Sequence, residues 1–510
     1  MPALHLPAPR ALFALVAVAS AWLCATLPVF SQEAYYWTYA QHLDLSYFDH
    51  PPMVAWLIWL GTALFGDGAI GVRFGTWLCG LGVTALGARM LHEFGVGRAG
   101  QALWIALSVA TPVLAMTHFL ANPDPALVLA WTAVMFAMWK ARSGSIGWWL
   151  VAGLAAGIAM LAKYSGAFLL VSGVLLLLLD PQLRRQLRRP GPWLAVLVAA
   201  VTFLPVVIWN VANQFASFRF QTAERFARGE FGLRWLLQFV LGQIVIVHPV
   251  LLLAITASIA WLGRRLRHDP RALWLLAFGL PLPAWFLVNS LWIQVKINWL
   301  APACVPLLLG AIVWWIERGV VLVRPKLARA AGFTLLVVPA VIPFAPAVRL
   351  VPPGRGSSWA GWEEVAAHAE QWEDRVDPAD GVEGNFFFFA ADYRDAAQLG
   401  RSLLLRRRNQ HPPEHPQSGD MAFEPTMAQN VIGMRALQYD HWSQPRERIG
   451  QDALFVLPRP QQRDEMVRQA TARFASIEKV ERLAIERWGV HLVDVDLYLC
   501  RGYKGPDASR

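Results

Sequence analysis

IGWWLVAGLAAGIAMLAKYSGAFLLVSGVLLLLLDPQLRRQLRR, residues 146–189, decides the fold class. Residues 146–162 and 165–180 are two almost wholly apolar runs, parted by Lys163 and Tyr164 and closed by Arg184, Arg185, Arg188 and Arg189. A transmembrane helix needs about 20 mostly apolar residues, and roughly 17 can suffice. The stretch therefore reads as two spans joined by a short turn, with a basic loop behind them. Runs of the same kind recur near 11–30, 69–88, 101–118, 125–140, 192–209, 236–262, 272–290, 299–316 and 330–347. The expected fold is a polytopic α-helical membrane protein with about eleven transmembrane helices. The run 11–30 follows a single charge, Arg10, and precedes more membrane, so it is read as an uncleaved first span and not as a signal peptide.

Composition agrees. The 510 residues are 56% hydrophobic and only 16% charged, against about 25% charged in soluble proteins. Charge also divides the chain. Residues 1–350 carry 25 Lys and Arg against 11 acids, and residues 351–510 carry 20 against 24. A basic membrane domain, 1–350, is thus followed by a mixed-charge soluble domain, 351–510. The net charge of +10 does not signal nucleic acid, because the basic residues fall in short clusters between apolar runs and form no continuous face. Cys24, Cys79, Cys304 and Cys500 form neither a disulfide framework nor a metal-type spacing.

Alternate loops collect the cations: Arg89 and Arg98, Lys140 and Arg142, Arg184 to Arg189, Arg264 to Arg271, and Arg318 to Arg329. The positive-inside rule puts them in the cytoplasm. The opposite side, the periplasm of a bacterial inner membrane, then receives 31–68, 119–125, 210–235, 291–298 and the tail. The tail reads as α/β: 362–376 has a helical pattern, 385–390, 453–457 and 491–499 read as strands, and 409–420 reads as a loop.

Acids are scarce in the membrane part, so those on the outer side are candidates for chemistry: Glu33, Asp49 and Asp124. Each has a plainer reading. Asp49 can cap a helix after Pro51, Asp124 can cap a helix opening at Pro125, and Glu33 can be a solvated first-turn residue. Tyr35 and Tyr36, in QEAYYWTYAQHLDLSYFDHPPM (32–53), suit a helix lying in the headgroup layer with its apolar face down. Lys163, Arg219, Arg225, Arg228 and Lys296 face the same side, either snorkelling to headgroups or holding a lipid phosphate. His42, His50 and His248 could join a carboxylate at a metal, but their spacing matches no standard site. No cofactor is implied.

At residues 32–53 the chain resembles a known family. QEAYYW (32–37) followed by YFDHPPMVAWL (47–57) resembles the first outer loop of glycosyltransferase family 39, of the GT-C superfamily, which includes protein O-mannosyltransferases and the bacterial lipid A aminoarabinose transferase. Further similar motifs follow in order: ANPDPALVLAW (121–131), LAKYSGAFLL (161–170), FASFRFQ (215–221) and KINWLAPA (296–303), then GWEEV (361–365), ADYRDAAQL (391–399), LQYDHW (437–442) and RGYKG (501–505). The resemblance implies a GT-C-like fold. It also implies transfer of a sugar, with inversion, from a polyprenyl-phosphate donor to a lipid, glycan or protein hydroxyl at the outer face. On that reading Glu33, Asp49 and Asp124 form the acidic set, and Tyr35, Tyr36, His50, Lys163, Tyr164, Arg219 and Lys296 contact substrate. One departure stands out: Gln32 occupies the place where many members have the Asp taken as the base.

A second class, a lipid or small-solute transporter, is also polytopic and basic. It predicts charges at the bilayer midplane and paired, broken half-helices, whereas these acids lie at the outer membrane face. The sequence does not name the sugar or the acceptor.

Overall fold

The computed structural model describes residues 8–224, 229–319, 361–376, 386–410, 426–487 and 489–507. It divides into two compact units, Met1–Thr26 with Asp44–Ala340, and Leu27–Leu43 with Val341–Arg510.

The first unit is helical. All the apolar runs up to residue 316 lie in helices; the run 330–347 falls outside the described residues. By length and composition five of these helices can cross a membrane, or up to seven if two bent pairs count as single spans. The expected count of about eleven is therefore not confirmed. Ile146–Ala162 and Tyr164–Leu179 are apolar but shorter. Two expectations need correction. The run 101–118 divides into Arg98–Ala110 and Pro112–His118, which meet at 79°. The run 236–262 is two helices, Leu233–Val247 and Pro249–Gly263, which meet at 104°. Pro249 has no N–H to continue the first helix, so it opens the second, and His248 at φ 81° makes the corner.

Close helix contacts position the ends of these helices. Glycine permits several of them. A Cβ on Gly153 would stand 2.3 Å from the Ala195 carbonyl oxygen, and one on Gly157 would stand 2.4 Å from Thr202. Helix Ile146–Ala162 therefore lies directly on Pro190–Ala212, in the manner of small-residue packing within membranes. Two buried indoles reach backbone carbonyls: Trp104 donates to the Thr84 carbonyl at 2.8 Å and Trp274 to the Met135 carbonyl at 3.0 Å. Ion pairs gather at one end of the helices. Glu93 meets Lys140 at 3.1 Å, Asp180 meets Arg142 at 3.1 Å, and Glu317 meets Arg265 at 2.8 Å and Arg271 at 2.7 Å. Helix Pro123–Ala141 runs from Asp124 to Lys140, so Asp124 lies about 25 Å, at 1.5 Å per residue, from this basic end.

The second unit is α/β. Strands β1 (Phe386–Ala390), β2 (Asp452–Pro458), β3 (Phe474–Arg487) and β4 (Val490–Tyr503) form one sheet in the order β1-β2-β4-β3. β1 and β2 are parallel, and the other pairs are antiparallel. One face packs on helices Trp362–Val376 and Tyr393–Gln410 through Leu399, Leu403, Val456 and Leu497. The other buries Phe389, Phe455, Phe474 and Tyr503. Asp496, on β4, is almost fully buried and takes both Arg482, at 2.6 Å and 2.8 Å, and Lys479, at 2.9 Å. Residues 411–420 of the expected loop lie outside the described residues.

Helix Ser31–Gln41 belongs to this second unit. Residues 33–40 are all buried. The expected headgroup helix, apolar on one face and wet on the other, is thus replaced by one enclosed on every side.

Candidate active site

Asp124 sits in the first turn of Pro123–Ala141, but it does not cap that helix. The helix opens at Pro123, and the Asn122 side chain takes the capping role, accepting from the Asp124 N–H at 2.8 Å. The Asp124 carboxylate is released for longer-range contacts. Oδ1 accepts from Lys163 Nζ at 2.7 Å, and Oδ2 accepts from the Asn298 amide. Lys163 stands at the end of Ile146–Ala162, in an extended conformation that stops the helix, and its ammonium lies 5.7 Å from the Trp299 ring centroid. The Asp124 and Lys163 side chains are only 8% and 16% exposed. At such enclosure each is the other's counter-ion.

Tyr164 continues from Lys163 into a second polar group. Its hydroxyl is 2.7 Å from Ser217 Oγ, and Ser46, Asn210 and Asp49 lie around it. A sharp reversal after Pro190–Ala212 delivers Ser217 there. Gln214 and Phe215 both take positive φ, 53° and 58°, and Asn210 Oδ1 accepts from the Phe218 N–H at 3.1 Å. Non-glycine residues hold such angles only where surrounding contacts impose them. Asp49 is buried. It lies 4.0 Å from His50 Nε2, and its carbonyl accepts from Gln221 Nε2 at 2.6 Å. Nor is it a helix cap: helix Met53–Phe65 starts after Pro52 with no side-chain cap.

Glu33 lies in the other unit. Fully buried, it reaches back from the first turn of Ser31–Gln41 to accept from the Phe30 N–H at 2.8 Å, half of a capping box. It is an end-satisfying acid, as the plainer reading allowed, although it is not solvated. Tyr35 and Tyr36 are buried in the same unit. Arg219 and Lys296 are exposed, and Arg225 and Arg228 fall outside the described residues. Among the described residues no three His, Cys, Asp or Glu side chains converge as metal ligands.

The structure thus joins Asp124 to Lys163, and Tyr164 to the surroundings of Asp49. The sequence reading missed Asn298, Ser217, Asn210 and Asp44. Asn298 and Ser217 lie inside the motifs KINWLAPA and FASFRFQ, so polarity within an otherwise apolar motif was the usable signal. Asp44 accepts from Trp209 Nε1 at 2.8 Å, a pairing that no spacing announces. Arg73, fully buried with Nη1 3.2 Å from the Cys24 carbonyl, was also passed over.

Residues 49–209, which contain Asp49, Asp124, Lys163 and Tyr164, match the family model described as dolichyl-phosphate-mannose-protein mannosyltransferase. The chain is 29% identical over 283 residues to lipid A galacturonosyltransferase RgtD of Rhizobium johnstonii, covering 54% of this chain and 58% of that one. It is 28% identical to a polyprenol-phosphate-mannose–protein mannosyltransferase of Mycolicibacterium smegmatis, over 29% of this chain and 34% of the relative. Over these stretches the chain is similar to the GT-C glycosyltransferases of family 39. The family 39 match spans less than two thirds of these relatives' own lengths. The fold comparison reaches further. The crystal structure of ArnT from Cupriavidus metallidurans bound to undecaprenyl phosphate superposes with a TM-score of 0.58, covering 96% of this chain and 97% of that one at 18% identity. That likeness carries the fold alone, a helical unit and a small sheet domain.

Proposed function

We propose that this protein transfers a sugar from a polyprenyl-phosphate donor to a hydroxyl of a lipid, glycan or protein acceptor, with inversion, at the periplasmic face of the bacterial inner membrane. The observation that carries the reading is the enclosed Asp124–Lys163–Asn298 cluster, beside the polar group around Tyr164, with Asp124, Lys163 and Tyr164 inside the family-matched region.

The chemistry follows from what the cluster can exchange. In the resting state Lys163 neutralises Asp124. A donor phosphate competes for Lys163, which binds it as a point charge. Asp124 Oδ1 is then released as a general base. The acceptor O–H gives its proton to Asp124, its oxygen bonds to the anomeric carbon, and the bond from that carbon to the phosphate oxygen breaks. Polyprenyl phosphate leaves as an anion, which needs the Lys163 charge and no proton donor. Tyr164, Ser217, Asn210, Asp49 and His50 supply hydroxyl, amide and carboxylate partners for a sugar. Glu33 is retained as a further acid on the strength of its motif. The relatives' names span lipid A and protein acceptors, so the acceptor class stays open within this proposal.

The test is incubation of the purified protein in lipid vesicles with a panel of polyprenyl-phosphate sugars, followed by mass spectrometry of candidate acceptors. Transfer from at least one lipid-linked donor is expected. Transfer from a soluble nucleotide sugar as the only donor would overturn the reading, because the sequence has no glycine-rich loop to hold a nucleotide's phosphates.

A further inference from the structure

Helices Ile146–Ala162 and Pro190–Ala212 lie side by side and run in the same direction. Their glycine contacts keep step: Gly191 faces Trp149, Gly153 faces Ala195, and Gly157 faces Ala199 and Thr202. Parallel neighbours bring their N-terminal ends together, and each end carries about half a positive charge. Neither sequence neutralises its own end. Ser145, at the cap of the first helix, makes no side-chain cap; Arg189, at the cap of the second, has the wrong sign of charge; and neither first turn holds an acid. Arg184, Arg185 and Arg188 are exposed on the same loop as Arg189, and among the described residues none of the four pairs with a carboxylate. Asp180, the acid ahead of them, is already engaged by the Gln182 and Leu183 N–H groups and by Arg142. The two loops meet at Gly144. A Cβ there would stand 2.6 Å from Arg189 Nη1 and 3.5 Å from Gln186 Nε2. Gln186 is only 8% exposed, and its Oε1 is buried with no hydrogen-bond partner among the described residues. Flipping that amide exchanges its oxygen for its nitrogen, so Gln186 can offer a donor at the same point as Arg189.

We propose that this corner binds the phosphate of an anionic phospholipid headgroup. The phosphate oxygens accept from the Arg189 guanidinium, the Gln186 amide and the N–H groups in the first turn of Ile146–Ala162, which have no partner within the helix. Pro190 and Pro192 lack an N–H, so the second helix contributes mainly its dipole and Arg189. Gly144, having no side chain, leaves the approach open. Exposed apolar side chains continue from the corner along both helices: Leu150 and Leu154 on one, Trp193, Val196 and Leu197 on the other. Acyl chains lie against that surface, whereas a free phosphate has no use for it. The corner is at the opposite end of helix Ile146–Ala162 from Lys163, about 25 Å away at 1.5 Å per residue. The inference is therefore independent of the proposed reaction.

The experiment uses the full-length protein in nanodiscs of phosphatidylcholine, with and without phosphatidylglycerol, at matched ionic strength. Amide hydrogen exchange over residues 144–149 reads occupancy. Phosphatidylglycerol should slow it about tenfold, the factor for a ligand at about ten times its dissociation constant. Arg189→Gln and Gln186→Leu should each remove most of that slowing, and Arg189→Lys, which keeps a point charge, should retain part of it. Arg264→Gln, which removes an exposed charge from another basic loop, should leave it whole. Exchange over Ala301–Arg318 should be the same throughout. If Gln186→Leu disturbs that helix, the exposed Arg189→Gln decides. No slowing in the wild type overturns the proposal. So does slowing that survives Arg189→Gln, or slowing lost equally in Arg264→Gln, which would make it a diffuse charge effect. Inorganic phosphate added to the phosphatidylcholine nanodiscs separates the sources: slowing by phosphate with none by phosphatidylglycerol overturns the lipid assignment, and the reverse supports it.

Discussion

Lys163 and Asp124 show what one ion pair decides. Removing one partner of a buried pair leaves an orphan charge and costs about 3–5 kcal/mol. Lys163→Met and Asp124→Asn should therefore each lower thermal stability. The double variant should regain most of it, because no lone charge remains. Activity should behave differently. Lys163→Met should lower kcat/KM by about 10²–10³ through lost charge on the leaving phosphate, Asp124→Asn by about 10²–10⁴ as the base, and the double variant should stay inactive. Thermal scans beside donor turnover measure both, and recovered turnover in the double variant would reduce the pair to a structural bridge. At this scale the sequence was partly legible. Scarcity marked Asp124 and Lys163, since an ionisable group among apolar residues must have a partner. It could not pair them, because residues 124 and 163 come from separate helices whose ends meet only after packing. Nor could it show that Asn122, two residues earlier, would relieve Asp124 of capping.

The helix pair Ile146–Ala162 and Pro190–Ala212 carries the same logic one level up. Gly153 faces a backbone carbonyl that cannot move aside. Gly153→Val should force the helices apart at a cost of about 1–3 kcal/mol. Lys163 stands at the end of one of them and Asn210 in the last turn of the other, so turnover should fall at the same time. Gly173, which has open space around it, is the control position, and an equal effect of Gly173→Val would remove the packing explanation. In the tail the informative element is the β3–β4 hairpin. Burial raises the Asp496 pKa, but hydrogen bonds and charge from Arg482 and Lys479 outweigh it and hold the carboxyl below its usual range. A depressed carboxylate contributes stability above its unfolded value, about 4, and loses it as pH falls through the lower native value. Asp496→Asn should thus speed hydrogen exchange over 474–503 at pH 7, by the equivalent of about 1–3 kcal/mol, and the gap from wild type should close below about pH 4. Element types were legible where periodicity was clear, as in 362–376 and 453–457. Strand β3, FASIEKVERLAIER, was missed because its charges and apolar residues recur at helical spacing and only pairing with β4 selects the strand. The Pro249 corner was missed because hydropathy averages across a proline.

For the whole molecule, side is the first question. The proposed topology, drawn from the one-sided Lys and Arg bias, has the tail in the periplasm. All four native cysteines are buried, so Ser476→Cys, on the exposed part of β3, gives a clean probe. A membrane-impermeant thiol reagent should label it in intact spheroplasts, and protection until lysis would place the tail in the cytoplasm. Membrane class was legible from composition alone, and the family from short motifs. The grouping of residues 27–43 with the tail was not, since nothing local in QEAYYW names a partner such as Gln398. That grouping has a consequence for how the molecule is made. Chains emerge from ribosomes at about 5–20 residues per second. Gln398 follows Val29 by 369 residues, so the Tyr35 helix waits about 20–70 seconds between its own synthesis and the arrival of its enclosure. For that interval a tyrosine- and tryptophan-rich segment lacks the side chains that bury it, so a late-made part of the chain completes an early one.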